Sequence, residues 1–508
     1  VPFTTTVSPT PVPTSALVFP PPLYFSPPEQ PKRKLPSDFI WDVAGSAWQI
    51  EGGLHTEGRG PSILDGMGAK GTPEASLNDS MISSLNYFLY KQDIARLAAI
   101  GIPYYSFSIS WSRVVPFGAP GSPLNTQALD HYEDVIATCL AYGVNPIVTL
   151  SHFDYPTTVD MNGNSTLFAD SFMYYAKAVA TRYADRVPLW FTFNEPNAGI
   201  GVFFNIFTSY NSMTTILPAH ATFYGWYKDT LQGTGRVSLK FANNLAVPLH
   251  GPDNTSDVAA ALRYQDFVLG IMANPLFLGT QYPDSVLTTP GVNLTPLTDA
   301  QLALINGTAD LWAFVPYVAE FASAPPGEGG IAACAAPGSA SADNPLWPMC
   351  AALGSTQANG WSLGAASHTY PFIAPQYVRQ QLGYVWNTFR PSGGILVAEF
   401  GFPIFAEAEQ ADPARMRQDL GRTLYYQGFR AEMLRAVWED GVNVVGALWI
   451  IMSLETTRVS LGCRLWIGRM GCCGGRIGGV CLILSTFLRG MWRRRGNNYL
   501  YVRAKFLV

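Results

Sequence analysis

Apolar residues gather in eight strand-length runs along the chain, at 39–48, 103–111, 144–152, 188–194, 236–243, 310–317, 394–400 and 442–449. Between many of these runs the apolar positions fall at helical spacing instead. Leu85, Phe88, Leu89, Ile94 and Leu97 do so within 81–100, and Gly101 follows as a stop. The same pattern recurs at 129–142 before Gly143, at 168–186, at 257–273, and at 413–440 before Gly441. Alternation of this kind predicts a parallel sheet with right-handed crossovers. Eight such units predict an α/β fold, a (β/α)8 TIM barrel with long loops and an incomplete eighth βα unit. An open doubly wound sheet is the alternative, but no Gly-rich phosphate fingerprint follows the first run.

The pattern breaks in three places, which set the domain boundaries. Residues 1–35 form a Pro/Thr-rich arm expected to be extended and poorly ordered. Residues 36–449 carry the barrel, interrupted at 321–372 by a Pro-, Gly-, Ala- and Ser-rich stretch expected to be a long loop after the sixth strand. From 450 to 508 the chain changes character. After Glu455 there is no Asp or Glu, while nine Arg, one Lys and four Cys crowd together with many Gly. A basic tail can serve as a nucleic-acid or membrane patch, but translation in a wrong frame or through an unspliced intron explains this composition better.

Only 13% of the 508 residues are charged, about half the usual share, and the formal net charge is −4. That balance argues against a nucleic-acid partner. The longest uncharged apolar run near the end, Ile477 to Leu488, is too short to span a bilayer, so no membrane partner is expected. Cys334 and Cys350 flank the Gly/Ala-rich loop, as a disulfide or as two free thiols. Sequons at Asn78, Asn164, Asn254, Asn293 and Asn306 favour an extracellular glycoprotein over a cytoplasmic protein. Oligomeric state is not legible.

The chemistry concentrates where strands end. Trp190-Phe191-Thr192-Phe193-Asn194-Glu195-Pro196 reads as a buried strand stopped by a proline. Asn194 and Glu195 then sit at its C-terminal tip, where barrel active sites are built; a solvated loop acid is the plainer reading of Glu195 alone. The third run ends on His152-Phe153-Asp154-Tyr155-Pro156 and the seventh on Glu399-Phe400-Gly401. The ends of strands four and seven surround one cavity, so Glu195 and Glu399 can face each other. Two carboxyls across a cavity, one protonated and one ionised, are the minimum equipment for glycoside hydrolysis. Six His with no paired ligand spacing make a metal site a weak alternative.

These residues resemble glycoside hydrolase family 1, the β-glucosidases and their relatives. Thr192-Phe193-Asn194-Glu195-Pro196 resembles the family's acid/base motif, and Val397-Ala398-Glu399-Phe400-Gly401 its nucleophile motif in a form similar to a fungal branch. Ala47-Trp48-Gln49-Ile50-Glu51-Gly52, Gly58 to Asp65, and Phe107 to Arg113 resemble further motifs in the family's order. The resemblance implies a retaining β-glycosidase without a cofactor, acting on β-glucosides or related small-molecule or oligosaccharide β-glycosides. It implies Glu195 as acid/base, Glu399 as nucleophile, and Gln49, His152 and Asn194 as glycone contacts. Tyr317 matches the tyrosine that donates to the nucleophile. Isolated, Gln49, His152 and Tyr317 would read as backbone pairing, a satisfied core histidine and simple packing. Transglycosylation in the same site is a close alternative.

Three departures stand out. Ser106 occupies the position of an Arg that bonds the family's nucleophile, and Val315 that of an Asn. Losing that cation should raise the nucleophile's pKa. After Leu448 the family's sugar-gripping Glu motif is missing; the chain reads Trp449-Ile450-Ile451-Met452-Ser453-Leu454-Glu455. Read with each codon beginning at the third base of the one before, this stretch permits Asp-Asn-(Asn/His/Tyr)-Glu-(Phe/Leu)-Gly, the absent motif. The frame is therefore expected to break between Gly446 and Ile450. A catalytically inert carbohydrate-binding chain is the alternative to the hydrolase, supported by the missing motif and Ser106.

Overall fold

The computed structural model describes residues 35–450, apart from 70–76, 200–208, 342, 366, 368–372 and 403–419. Nearly all of the expected arm, residues 413–419 of the last expected helix, and the tail beyond Ile450 lie outside the described residues. All eight apolar runs form strands. They are β1 (Ile40–Ala44), β2 (Tyr104–Ser108), β3 (Asn145–Ser151), β4 (Leu189–Phe193), β5 (Arg236–Ser238) with β6 (Lys240–Pro248), β7 (Trp312–Ser323), β9 (Ile395–Phe400) and β10 (Val444–Ile450). The remaining strand, β8 (Ala352–Gly354), adds antiparallel to β7.

The order β5-β4-β3-β2-β1-β10-β9-β7-β6 closes into a barrel because β5 and β6 are two halves of one strand, parted at Leu239. The lower half pairs parallel with β4 and the upper half parallel with β7. First and last strands meet in parallel register, Ile40 opposite Gly446 through Ala44 opposite Ile450. Glycine is required there: a Cβ at Gly446 would lie 2.6 Å from both Ile40 Cβ and Leu396 Cδ1.

A helix follows each of the first seven barrel strands: α1 (Asn86–Ile100), α2 (Thr126–Ala141), α3 (Ser165–Tyr183), α4 (Met213–Gly225), α5 (Thr255–Gln265), α6 (Val378–Phe389) and α7 (Leu420–Glu439). Asn125, Asn164 and Asn254 cap α2, α3 and α5 through their side-chain oxygens, each satisfying a backbone donor that the first helical turn leaves open. The apolar faces of these helices and the outward side chains of the sheet share one large core. Trp312 stands at its centre, fully buried and stacked on Phe241 at 4.3 Å and Phe389 at 5.0 Å. A second, smaller core fills the barrel itself, with Ile40, Ile147, Phe191, Ala313, Leu396 and Leu448 packed inward. Strands buried on both faces in this way explain why the sequence shows continuous apolar runs rather than alternation.

Three expectations are corrected. The first strand stops at Ala44, so Gln49 lies on the helical turn Ala47–Ile50 that follows it. The run expected to be one helix over 257–273 leaves the α-helical path after Gln265 and winds through a π turn at Asp266–Gly270. The segment 321–372 is not one long loop: β7 runs to Ser323, Gly330–Cys334 is helical, and β8 returns to pair with β7. Cys334 and Cys350 are joined by a disulfide with 5.7 Å between their Cα atoms, which resolves the open choice between a bridge and free thiols.

Candidate active site

The tip of β4 is opened by its own hydrogen bonds. Asn194 N–H still donates to Ser151 O on β3 at 2.9 Å, but Glu195 N–H turns the other way and donates to Lys240 O on β6 at 3.0 Å. The turn demands a left-handed backbone at Glu195, φ 43°, a conformation that non-glycine residues adopt rarely and mostly at functional sites. The strand has ended at Phe193, and Pro196 follows the turn. Asn197 staples the turn, donating to Ala242 O and Val268 O at 2.8 Å each and accepting from Ala242 N–H at 3.1 Å. From behind, buried His220 on α4 meets Thr192 Oγ1 at 2.7 Å and Thr308 O at 3.0 Å. Burial lowers this imidazole to about 4, so it is neutral and acts as a fixed bracket on β4.

Glu399, buried at the end of β9, is held through both oxygens. Tyr317 Oη donates to Oε2 at 2.7 Å, and Lys240 Nζ donates to Oε1 at 2.7 Å. Lys240 is itself buried, and its ammonium lies 5.3 Å from the centre of the Phe191 ring. Asn194 Nδ2 lies 3.3 Å from His152 Nε2 and 3.5 Å from Glu195 Oε2. Among the described residues, Asn194 Oδ1 and His152 Nδ1 are buried without a hydrogen-bond partner. Buried polar atoms of this kind call for a partner, and sugar hydroxyls supply both donors and acceptors.

The two carboxyls do not share one electrostatic environment. Burial raises the Glu195 carboxyl, the charge of Glu399 raises it further, and Lys240 and Asn194 offset only part. Burial pushes Glu399 up as well, but the Lys240 ammonium, the neighbouring His152 ring and the hydrogen bonds from Lys240 and Tyr317 outweigh it and hold the carboxyl below its usual range. Burial depresses His152 to about 3, so its ring is neutral and the cation beside Glu399 is Lys240. One carboxyl is therefore disposed to carry a proton and the other to carry a charge. Asp42 on β1, with its Oδ1 accepting from Val43 N–H and Ser106 N–H, is pushed up by burial.

Of the six residues expected at the site, five are knit together: Glu195, Asn194 and His152 at neighbouring tips, and Glu399 with Tyr317 across from them. Gln49 is half-buried beyond β1; its Oε1 accepts from Ser46 Oγ, and it has no hydrogen bond to the other five. The surrounding motif residues hold its segment in place. Buried Arg113 donates to Glu51 Oε2 at 2.8 Å and Gly52 O at 2.9 Å, and Tyr132 Oη donates to Glu51 Oε1 at 2.7 Å. Asp65 accepts from Trp48 Nε1 at 2.8 Å and from Arg59 at 2.7 Å. Lys240 is the residue that sequence reasoning missed. Its signal was a lone cation inside an apolar run, since Lys is almost never fully buried without a partner.

A parallel barrel with two buried carboxyls at the tips of its fourth and seventh strands has the architecture of an O-glycosyl hydrolase. The model of the family described as Glycosyl hydrolase family 1 matches residues 31–455, and the chain belongs to that family. It is 28% identical to beta-glucosidase 1B of Phanerodontia chrysosporium over 444 residues, covering 82% of this chain and 78% of that protein. It is 29% identical to the human cytosolic beta-glucosidase over 448 residues, covering 82% and 89%. The crystal structure of the beta-glucosidase from the fungus Humicola insolens in complex with glucose superposes with a TM-score of 0.74 at 26% identity, covering 84% of this chain and 92% of that one. The chain is thus a β-glycosidase at the level of its family.

Proposed function

We propose that this glycosidase hydrolyses β-glucosides with retention of configuration, using Glu399 as nucleophile and Glu195 as acid/base. The observation that carries the reading is the asymmetry of the two carboxyls: Glu399 is clamped by a cation and a phenol, and Glu195 is buried with no cation hydrogen-bonded to it among the described residues. A Glu399 oxygen attacks the anomeric carbon as the glycosidic C–O bond breaks and the Glu195 proton passes to the leaving oxygen. Water then attacks the glycosyl ester, giving its proton back to Glu195 while Glu399 departs as carboxylate. Asn194, His152 and Gln49 bond the glycone hydroxyls, contacts that strengthen as positive charge develops on the ring. The glucose in the Humicola insolens structure supports the sugar assignment. The Cys334–Cys350 disulfide supports an oxidising, extracellular location.

The test is proton NMR of an aryl β-glucoside during turnover. The first sugar released is expected to be the β-anomer; α-glucose appearing first would sink the retaining assignment. The pH profile follows from the same asymmetry. Activity is lost as pH falls through the depressed Glu399 pKa, because the nucleophile is protonated. It is lost again as pH rises through the elevated Glu195 pKa, because the acid is spent. A broad bell in kcat/KM with its acid limb below the ordinary carboxylate range is expected. A profile with a single limb would mean that one of the two residues is misassigned.

A further inference from the structure

We infer that Lys240 is the positioning residue of the catalytic pair, its carbonyl holding the backbone turn at Glu195 while its ammonium holds the Glu399 carboxyl and gives it the nucleophile's part. The inference rests on the assignment of Glu195 and Glu399 made above. Its geometric basis is that a single residue touches both partners: Lys240 O accepts from Glu195 N–H at 3.0 Å, and Lys240 Nζ donates to Glu399 Oε1 at 2.7 Å. The break at Leu239 puts Lys240 at the first position of β6. There the strand has parted from β4 and joined β7, so the Lys240 carbonyl is available to the Glu195 turn while the ammonium reaches toward β9. The exposure of the side chain is 3%, and that of Glu399 is 4%. Water therefore cannot screen the pair, and a buried ammonium without its carboxylate would be strongly disfavoured.

Among the described residues, the groups facing Glu399 leave Lys240 as its counter-charge. From β3 comes the neutral His152, from β4 the carboxyl Glu195, from β7 the Tyr317 hydroxyl, and from β6 Lys240. On β2 the inward position that would otherwise present a cation is Ser106, whose N–H is occupied with Asp42 on β1. The loss at Ser106, expected to raise the nucleophile's pKa, is offset from a different strand. The ammonium has a second use in the reaction cycle. Glu399 loses its charge when the glycosyl ester forms and regains it when the ester breaks, so a fixed cation favours its departure in the second step.

The experiment reads Glu399 directly and does not depend on turnover. The full chain is labelled with glutamate carrying ¹³C in the side-chain carboxyl. The Glu399 resonance is assigned by its disappearance in Glu399→Gln and followed with pH. In the wild-type chain it should titrate below the ordinary carboxylate range. In Lys240→Met the midpoint should rise by at least about one unit, and Lys240→Arg should bring it back. An unchanged midpoint in a folded Lys240→Met chain would overturn the inference. If Lys240→Met does not fold, the double variant Lys240→Met/Glu399→Gln decides. Recovery of folding by the double variant shows that the lysine answers the carboxylate charge, whereas failure of both shows a packing role and also overturns it. Failure of the proposed function would appear separately, as absent turnover in a wild-type chain whose Glu399 still titrates low.

Discussion

Glu399→Gln is expected to lower turnover of an aryl β-glucoside by on the order of 10⁴-fold or more. The amide has the shape of the carboxyl, so the side chain still fills its place between Tyr317 and Lys240. What it lacks is an oxygen able to form the glycosyl ester. Binding should suffer less than chemistry, because the glycone contacts expected from Asn194, His152 and Gln49 remain. The measurement is a kcat and KM pair on purified chain, with circular dichroism to show that the variant is folded. The loss should fall on kcat with KM within a few-fold. A folded variant that keeps wild-type turnover would move the nucleophile to another residue.

Restoring the reading frame after Leu448 is expected to raise kcat/KM by about 10²- to 10⁴-fold and to increase the yield of soluble chain. The motif recovered by the shifted frame contains the glutamate that grips the sugar's 4- and 6-hydroxyls in the family. Hydrogen bonds to a charged group contribute about 1.5–3 kcal/mol each, and about 1.4 kcal/mol is a factor of ten in rate. The backbone supports a late break: β10 keeps parallel register with β1 through Ile450, just where the sequence changes character. The check is sequencing of the transcript across codons 440–460, followed by a side-by-side assay of the two chains. An uninterrupted frame encoding residues 450–508 would refute the idea. In that case sugar binding without turnover would favour the inert reading.

The barrel was legible because strands buried on both faces must be continuously apolar, and every such run became a strand. Boundaries were less legible. Leu239 is an ordinary apolar residue of its run, yet the strand changes partners there, a property of barrel closure rather than of any local residue. The disulfide depends on how β8 folds back on β7, a long-range event that the residues between Cys334 and Cys350 do not encode. The two strand-tip carboxyls proposed as the catalytic pair could be read from their setting, and the structure places both, buried, where strands four and seven end. The ion pair could not, because Lys240 and Glu399 lie 159 positions apart in sequence. Asp42 and Lys240, charged residues inside apolar runs that the sequence reading passed over, are both buried in the barrel. Conversely, Asp65 and Arg113, prominent in the recognised motifs, proved to be clamps that hold the segment bearing Gln49.

The left-handed backbone at Glu195 bears on the history of the gene. Holding a non-glycine residue in that region costs about 1–3 kcal/mol, and most chains sit only a little above the stability they need. Glycine or asparagine at position 195 would relieve the cost and leave the barrel intact. A lineage released from selection for turnover would be expected to drift to one of them early, because the change is neutral or better for folding. A glutamate at this position, with Lys240 facing Glu399, is what selection for the proposed catalysis would keep, at a cost that folding alone gives no reason to bear.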